Sequence, residues 1–151
     1  MRGVLSEEGL TIDFWEIAMR PGKSLMFGHY HGTPMVGLPG NPVSTLVCSL
    51  VFLKPAVDKL SGLPEAAEAV ATARLGVALK QNDRRQDYLR ARLVRAADGV
   101  VEAVPFEVQD SSMMRPLAAS DCLVVRAPHA PALPAGSEVP IIPFPGGAWP
   151  Q

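Results

Sequence analysis

The chain has 151 residues, 48% hydrophobic and 19% charged, which is enough apolar material for a core in one large domain or two small ones. Fourteen Lys and Arg against fifteen Asp and Glu give a formal net charge of −1, a balance that argues against nucleic-acid and membrane-surface binders with their basic excess. Two cysteines, Cys48 and Cys122, exclude a disulfide-stapled scaffold and suit a reducing compartment, while fifteen prolines and thirteen glycines exclude an all-helical bundle.

Met1 to Glu8 is too polar for the apolar region of a signal peptide. The longest apolar stretch, Val43 to Leu53, falls well short of the ~20 residues a membrane helix needs. A soluble, cytoplasmic protein is expected. Met1 to Gly9 reads as the end of a helix closed by Gly9. Ile12 to Met19 is aromatic and β-branched and predicts one strand, broken by Arg20-Pro21-Gly22-Lys23. Leu25–Tyr30 and Thr33–Leu38 flank His31-Gly32 and predict a hairpin. Pro39-Gly40-Asn41-Pro42 then stops the strand and opens a helix, with Asn41 as N-cap and Pro42 at the first helical position. Val43, Leu46, Val47, Leu50, Leu53 and Val57 follow helical spacing; Pro55 should kink or split this helix and Gly62 end it.

A boundary is expected after Gly62. Ala66 to Lys80 leans helical by pattern alone, although Val70, Thr72, Leu75, Val77 and Leu79 also suit an extended segment. Tyr88 to Val94 alternates, with Leu89, Ala91 and Leu93 on one face and Tyr88, Arg90 and Arg92 on the other. Asp98-Gly99 turns it into Val100–Val104 as a hairpin. Leu123–Val125 and Val139–Ile142 read as further short strands, and the set suggests a small sandwich or barrel.

Four places carry possible chemistry. The strand, Pro39-Gly40-Asn41-Pro42, helix corner with Ser44 just inside suits an anion, although taken alone it reads as an ordinary helix cap. Arg20 and Lys23 bracket a rigid Pro21-Gly22 turn and suit a phosphate or oxyanion, although taken alone they read as a polar turn with solvated charges. Arg84, Arg85, Arg90, Arg92 and Arg95 form a cluster that is either an anion-facing strand or a solvated sheet face. Gln109-Asp110-Ser111-Ser112 either orients a substrate or caps a helix. His29 and His31 lie two apart, on one strand face, with no third ligand spaced to complete a zinc site.

The string from Phe14 to Gly28, with its Arg20-Pro21-Gly22-Lys23, followed by Leu38-Pro39-Gly40-Asn41-Pro42-Val43-Ser44, resembles the C-terminal half of the molybdopterin molybdenumtransferases, relatives of the gephyrin E domain. The resemblance continues through Arg85–Ala91, Gln109–Ser111 and Ser120–Val125 and ends at Pro143–Gly147. It implies an α/β plus β chain. Residues 1–62 would be the C-terminal part of a three-layer α/β molybdopterin-binding domain, 63–69 a linker, 70–147 a small β-barrel and 148–151 a tail. This replaces the helical lean of Ala66 to Lys80 with linker and strand.

The resemblance further implies insertion of molybdate into adenylated molybdopterin, dependent on Mg2+, by a homodimer of longer chains whose cleft is shared between subunits. This sequence would be a fragment of such a chain, inactive alone, with the Mg2+ ligands outside it. Small-molecule substrates are then expected, with no nucleic acid or membrane. Carried over by position, Arg20, Pro21, Gly22 and Lys23 would bind anions, Pro39, Gly40, Asn41, Pro42 and Ser44 would shape the pterin-phosphate pocket, and Arg85 and Ser111 would face the cleft. Glu16 stands where the family often has Lys, Ser24 where it has Pro, and His29 where it has a basic residue. The alternative is a divergent, non-catalytic relative that keeps the fold for binding or association.

Overall fold

The computed structural model describes residues 9–63, 71–110 and 114–145. The first strands are β1 (Leu10–Trp15), β2 (Met19–Arg20), β3 (Met26–Tyr30) and β4 (Thr33–Gly37). β1, β3 and β4 form an antiparallel sheet in that order. The expected hairpin is present: His31 and Gly32 both take positive φ, 47° and 79°, the geometry of a tight two-residue turn matching strand twist. Gly28 is required by register, because a Cβ there would lie 2.1 Å from the Thr11 carbonyl oxygen of the paired strand.

The single strand expected over Ile12 to Met19 is two. The chain leaves the first sheet at Glu16, whose φ of 69° no continuous strand accommodates. It re-enters as β2, which pairs in parallel with a different sheet. The positions of His29 and His31 also differ from expectation: His29 lies in β3 and His31 in the turn, so they share no strand face.

After β4 the helix Pro42–Cys48 begins where the sequence places it. Asn41 accepts hydrogen bonds from the backbone N–H groups of Val43 (3.1 Å) and Ser44 (3.3 Å). The expected disturbance at Pro55 is a wider helical turn over Ser49–Leu53, after which the helix resumes over Lys54–Leu60.

The second sheet comprises β5 (Ala71–Leu75), β6 (Gln86–Arg95), β7 (Val101–Pro105), β8 (Cys122–Arg126) and β9 (Glu138–Pro143), with a short helix at Met114–Ala118. The strand order β6-β7-β5-β9-β8 closes on itself through a β6–β8 ladder, giving a five-stranded barrel with β2 added at its rim. Ala71 to Leu75 is thus a strand, as the family resemblance implies and helical pattern alone does not. Val70 and the residues before it lie outside the described segments, as do Met1 to Glu8.

Alternation along each strand separates two cores. Leu75, Ala91, Leu93, Cys122, Val124, Val139 and Ile141 fill the barrel interior. The intervening residues Leu123, Val125, Ile142 and Tyr88 face outward, where they pack with Met19, Leu25, Val47 and Cys48 of the first part. Both thiols are protonated at neutral pH, since burial pushes Cys48 up to about 11 and Cys122 up to about 12. They act as small apolar side chains. No helix of the described residues is long and apolar enough to cross a membrane.

A candidate anion-binding cleft

Where β2 leaves the first sheet and meets the barrel, the chain opens a cleft of about 330 Å3, lined by Glu16, Ile17, Ala18, Lys23, Arg84 and Arg85. The turn that carries Lys23 is tightly set. The Ile17 N–H donates to the Lys23 carbonyl (2.9 Å) and the Leu25 N–H to that of Gly22 (3.0 Å). Gly22 has a φ of 118°, and a Cβ there would meet Cys48 Sγ at 2.6 Å, so only glycine fits this contact. The opposite wall comes from the loop before β6, held to β2 by the Gln86 N–H on the Ala18 carbonyl (2.9 Å).

The charges of the cleft are mostly paired. Lys23 Nζ lies 3.2 Å from Glu16 Oε2, with both side chains more than half exposed. Arg85 donates from Nη2 to Asp83 Oδ2 at 2.7 Å, and the Arg85 backbone N–H donates to Asp83 Oδ1 at 2.8 Å. The Arg85 guanidinium and backbone hold the Asp83 carboxyl well below the usual carboxylate range. Arg84 lines the same cleft and, among the described residues, has no ion pair.

Arg20 faces elsewhere. Its guanidinium spans Asp83, at 3.3 Å, and the buried Asp87 of β6. The other oxygen of Asp87, Oδ1, is buried and has no hydrogen-bond partner among the described residues. Of the cations at the Pro-Gly turn, then, Lys23 lines the cleft while Arg20 ties β2 to the barrel; Pro21, half-buried, connects them through a cis Arg20–Pro21 bond.

The Pro39-Gly40-Asn41-Pro42 corner does not line this cleft. Pro42 has no N–H and Asn41 satisfies the next two, so the first donors of the helix are already engaged. Ser44 is buried, whereas Gly40 is exposed, with open space where a Cβ would stand. Ser111 lies outside the described residues.

The arginine cluster proves heterogeneous. Arg84 and Arg85 face the cleft, but Arg90 is 1% exposed, its Nη2 donating to the Asp110 carbonyl (3.0 Å) and its Nε to Gln109 Oε1 (3.3 Å). Gln109 in turn donates to the carbonyls of Arg90 and Phe106, so the Gln109-Asp110 pair braces the barrel wall. Sequence pattern missed Asp83 and Asp87 as partners of the cations. The only signal was their interleaving in Asp83-Arg84-Arg85-Gln86-Asp87. Among the described residues no group of three His, Cys, Asp or Glu side chains is placed to hold a metal ion.

Residues 72–144, the barrel, match the family described as MoeA C-terminal region (domain IV). A molybdopterin molybdenumtransferase of Haemophilus influenzae is 32% identical over 148 residues, a match covering 95% of this chain and 35% of the relative. One from Synechocystis is 30% identical over 148 residues, covering 97% of this chain and 34% of the relative. The chain therefore spans about a third of the length of these curated relatives. The molybdopterin biosynthesis moea protein of Pyrococcus horikosii has the same fold, with a TM-score of 0.77 at 26% identity over 96% of this chain and 34% of that one. With the barrel, the attached sheet and both sequence matches in agreement, this chain belongs to the molybdopterin molybdenumtransferase family, its barrel matching that family's C-terminal region.

Proposed function

We infer that this chain supplies one wall of the substrate cleft of a molybdopterin molybdenumtransferase, acting in molybdenum cofactor biosynthesis on adenylated molybdopterin and molybdate. The observation that carries this reading is the cleft beside the Gly22 turn, with Lys23, Arg84 and Arg85 along it. Phosphate and molybdate are tetrahedral oxyanions, and fixed cations stabilise both the bound anions and the charge that grows on a departing adenylate. In this reading Lys23, Arg84 and Arg85 hold the phosphate groups and Arg20 keeps β2 in place, while Pro39, Gly40, Asn41, Pro42 and Ser44, which do not line this cleft, shape a separate pterin-phosphate pocket. Residues 1–62 act as part of a pterin-binding domain and 70–147 as the barrel that closes the cleft. Among the described residues no group of His, Cys, Asp or Glu side chains is placed to hold Mg2+.

Calorimetric titration of adenylated molybdopterin into the chain tests this reading. Saturable binding that is abolished when both Lys23→Glu and Arg85→Glu are introduced is the expected result. Absence of binding by the parent chain, or binding that survives the double reversal, overturns it. One observation favours the second reading, a non-catalytic relative: Glu16 places a carboxylate against Lys23 in the cleft. Under that reading the longer protein would bind the substrate without turning it over.

A further inference from the structure

A second concave surface, of about 630 Å3, lies where the broken helix meets the end of the barrel, and it shares no lining residue with the anion-binding cleft. Leu46 and Leu50, four residues apart along the helix, form one wall. Met114 and Leu117 of the short helix, with Phe144 after β9, form the other. The groove therefore straddles the seam between the two parts of the molecule. Two of its polar groups are already engaged: the Lys54 ammonium pairs with Asp58 at 2.5 Å, and the Ser120 hydroxyl donates to the Pro116 carbonyl at 2.6 Å. Its apolar walls are not, since Leu46 is 45% and Met114 48% exposed among the described residues. Such a surface suits an apolar occupant without charge.

The chain brings a segment of that chemistry to the rim. Pro145, the last described residue, itself lines the groove. The Phe144 N–H donates to the Asp121 carbonyl (2.9 Å), which fixes the point from which residues 146–151 depart. Their sequence, Gly146-Gly147-Ala148-Trp149-Pro150-Gln151, has no charged side chain and holds one of the two tryptophans of the chain. Trp149 stands four residues beyond Pro145, a reach of at most about 13 Å. The two glycines allow the backbone to double back toward the helix. An indole buries a large apolar area and makes favourable contacts with a thioether such as that of Met114. A tether this short also gives an effective concentration of about millimolar, so modest apolar contact is enough to close it.

We propose that Trp149 docks in this groove, so that the end of the chain bridges the Pro42–Cys48 helix and the barrel. The tether favours the chain's own segment over a second copy or a separate protein. The role is that of a clamp on the seam, and it is independent of what the anion-binding cleft takes.

Trp15→Phe leaves Trp149 as the sole indole, and acrylamide quenching of its fluorescence reads its exposure. Quenching in the folded chain should be several-fold weaker than in urea, and independent of protein concentration. Leu46→Glu and Met114→Glu, each placing a charge on one wall at a half-exposed position, should raise quenching toward the value in urea. Leu60→Glu, 78% exposed and outside the groove, should leave it unchanged. Trp149→Ala leaves both walls intact and should increase hydrogen exchange in the Pro42–Cys48 helix, with the barrel interior unaffected. A Trp149 as quenchable in the folded chain as in urea overturns the inference, as does protection that survives both wall substitutions. Protection lost on dilution also overturns it, by assigning the contact to a second copy. Should either wall variant fail to fold, parent-like exchange in Trp149→Ala overturns it alone.

Discussion

The barrel and the sheet-and-helix part before it solve the same problem of a small core in different ways. The barrel has no free edge and fills its interior with Leu75, Val124, Val139 and Ile141, all at most 1% exposed. Among the described residues, the first part has a three-stranded sheet followed by one broken helix. It leaves Phe14, Trp15, Tyr30 and Leu46 at least 40% exposed and completes its own core against the barrel's outer face. Charge follows the same division. The barrel buries Arg90 and Arg126 against backbone carbonyls, Arg90 on the outer face of β6 and Arg126 Nη2 reaching those of Lys80, Ala130 and Pro131. The seam between the parts keeps its cations at the surface.

Replacing Arg90 breaks that comparison at its strongest point. Burial disfavours its charged form, and the charge is tolerated because Gln109 and the Asp110 carbonyl receive it. Arg90→Ala removes a buried donor and strands those acceptors. The expected loss is about 3–5 kcal/mol in denaturant unfolding, against about 0.5 kcal/mol for the exposed Arg84. A loss below about 1 kcal/mol for Arg90→Ala would mean that the buried network is dispensable.

Leu123→Ala sharpens the question of dependence between the parts. Leu123 is fully buried on the outer face of β8, against Met19, Leu25, Val47 and Cys48. The expected cost is about 2–4 kcal/mol of cavity formation. Because the first part borrows this surface, its hydrogen-exchange protection should fall further than that of the barrel interior. Equal loss in both would show one cooperative unit rather than a barrel with a dependent neighbour.

The division also explains what was legible from sequence. Strand alternation in β6, the hairpin at His31-Gly32 and the Asn41 cap are local, and each was readable from a few residues. The break at Glu16 was not, because an isolated positive φ in a residue without special turn chemistry leaves no pattern. Nor was Ala71–Leu75 legible as a strand from local pattern, although the family resemblance implied it, since its ladders are with Val139–Ile141 and Glu102–Ala103, far along the chain, and local propensity pointed the other way. At the cleft, Lys23 and Arg85 were legible as cations, but their neutralisation was not. Glu16 lies seven residues from Lys23 across the turn, and Asp83 serves both Arg85 of its own loop and Arg20 of β2, the latter only once β2 meets the barrel.

The smallest expected effect concerns the barrel's exposed rim. Arg74 of β5 donates to both oxygens of Asp98, at 2.5 and 2.9 Å, and to Glu102 at 2.9 Å. The Arg74 hydrogen bonds, with that of the Val100 N–H, lower the Asp98 carboxyl from 3.8 to about 2. A carboxylate depressed on folding stabilises the native state fully above its unfolded value and loses that contribution as pH falls through its folded value. The Asp98 contribution should therefore be constant above about pH 4 and disappear between pH 4 and about 2. In Asp98→Asn the urea midpoint should match the parent's dependence at neutral pH but fall less steeply across that acid window. Since the rim is solvent-exposed, the difference should also shrink in high salt, unlike the loss in Arg90→Ala. Unchanged acid dependence in Asp98→Asn would assign the window to the cleft instead, where Asp83 is held low by Arg85.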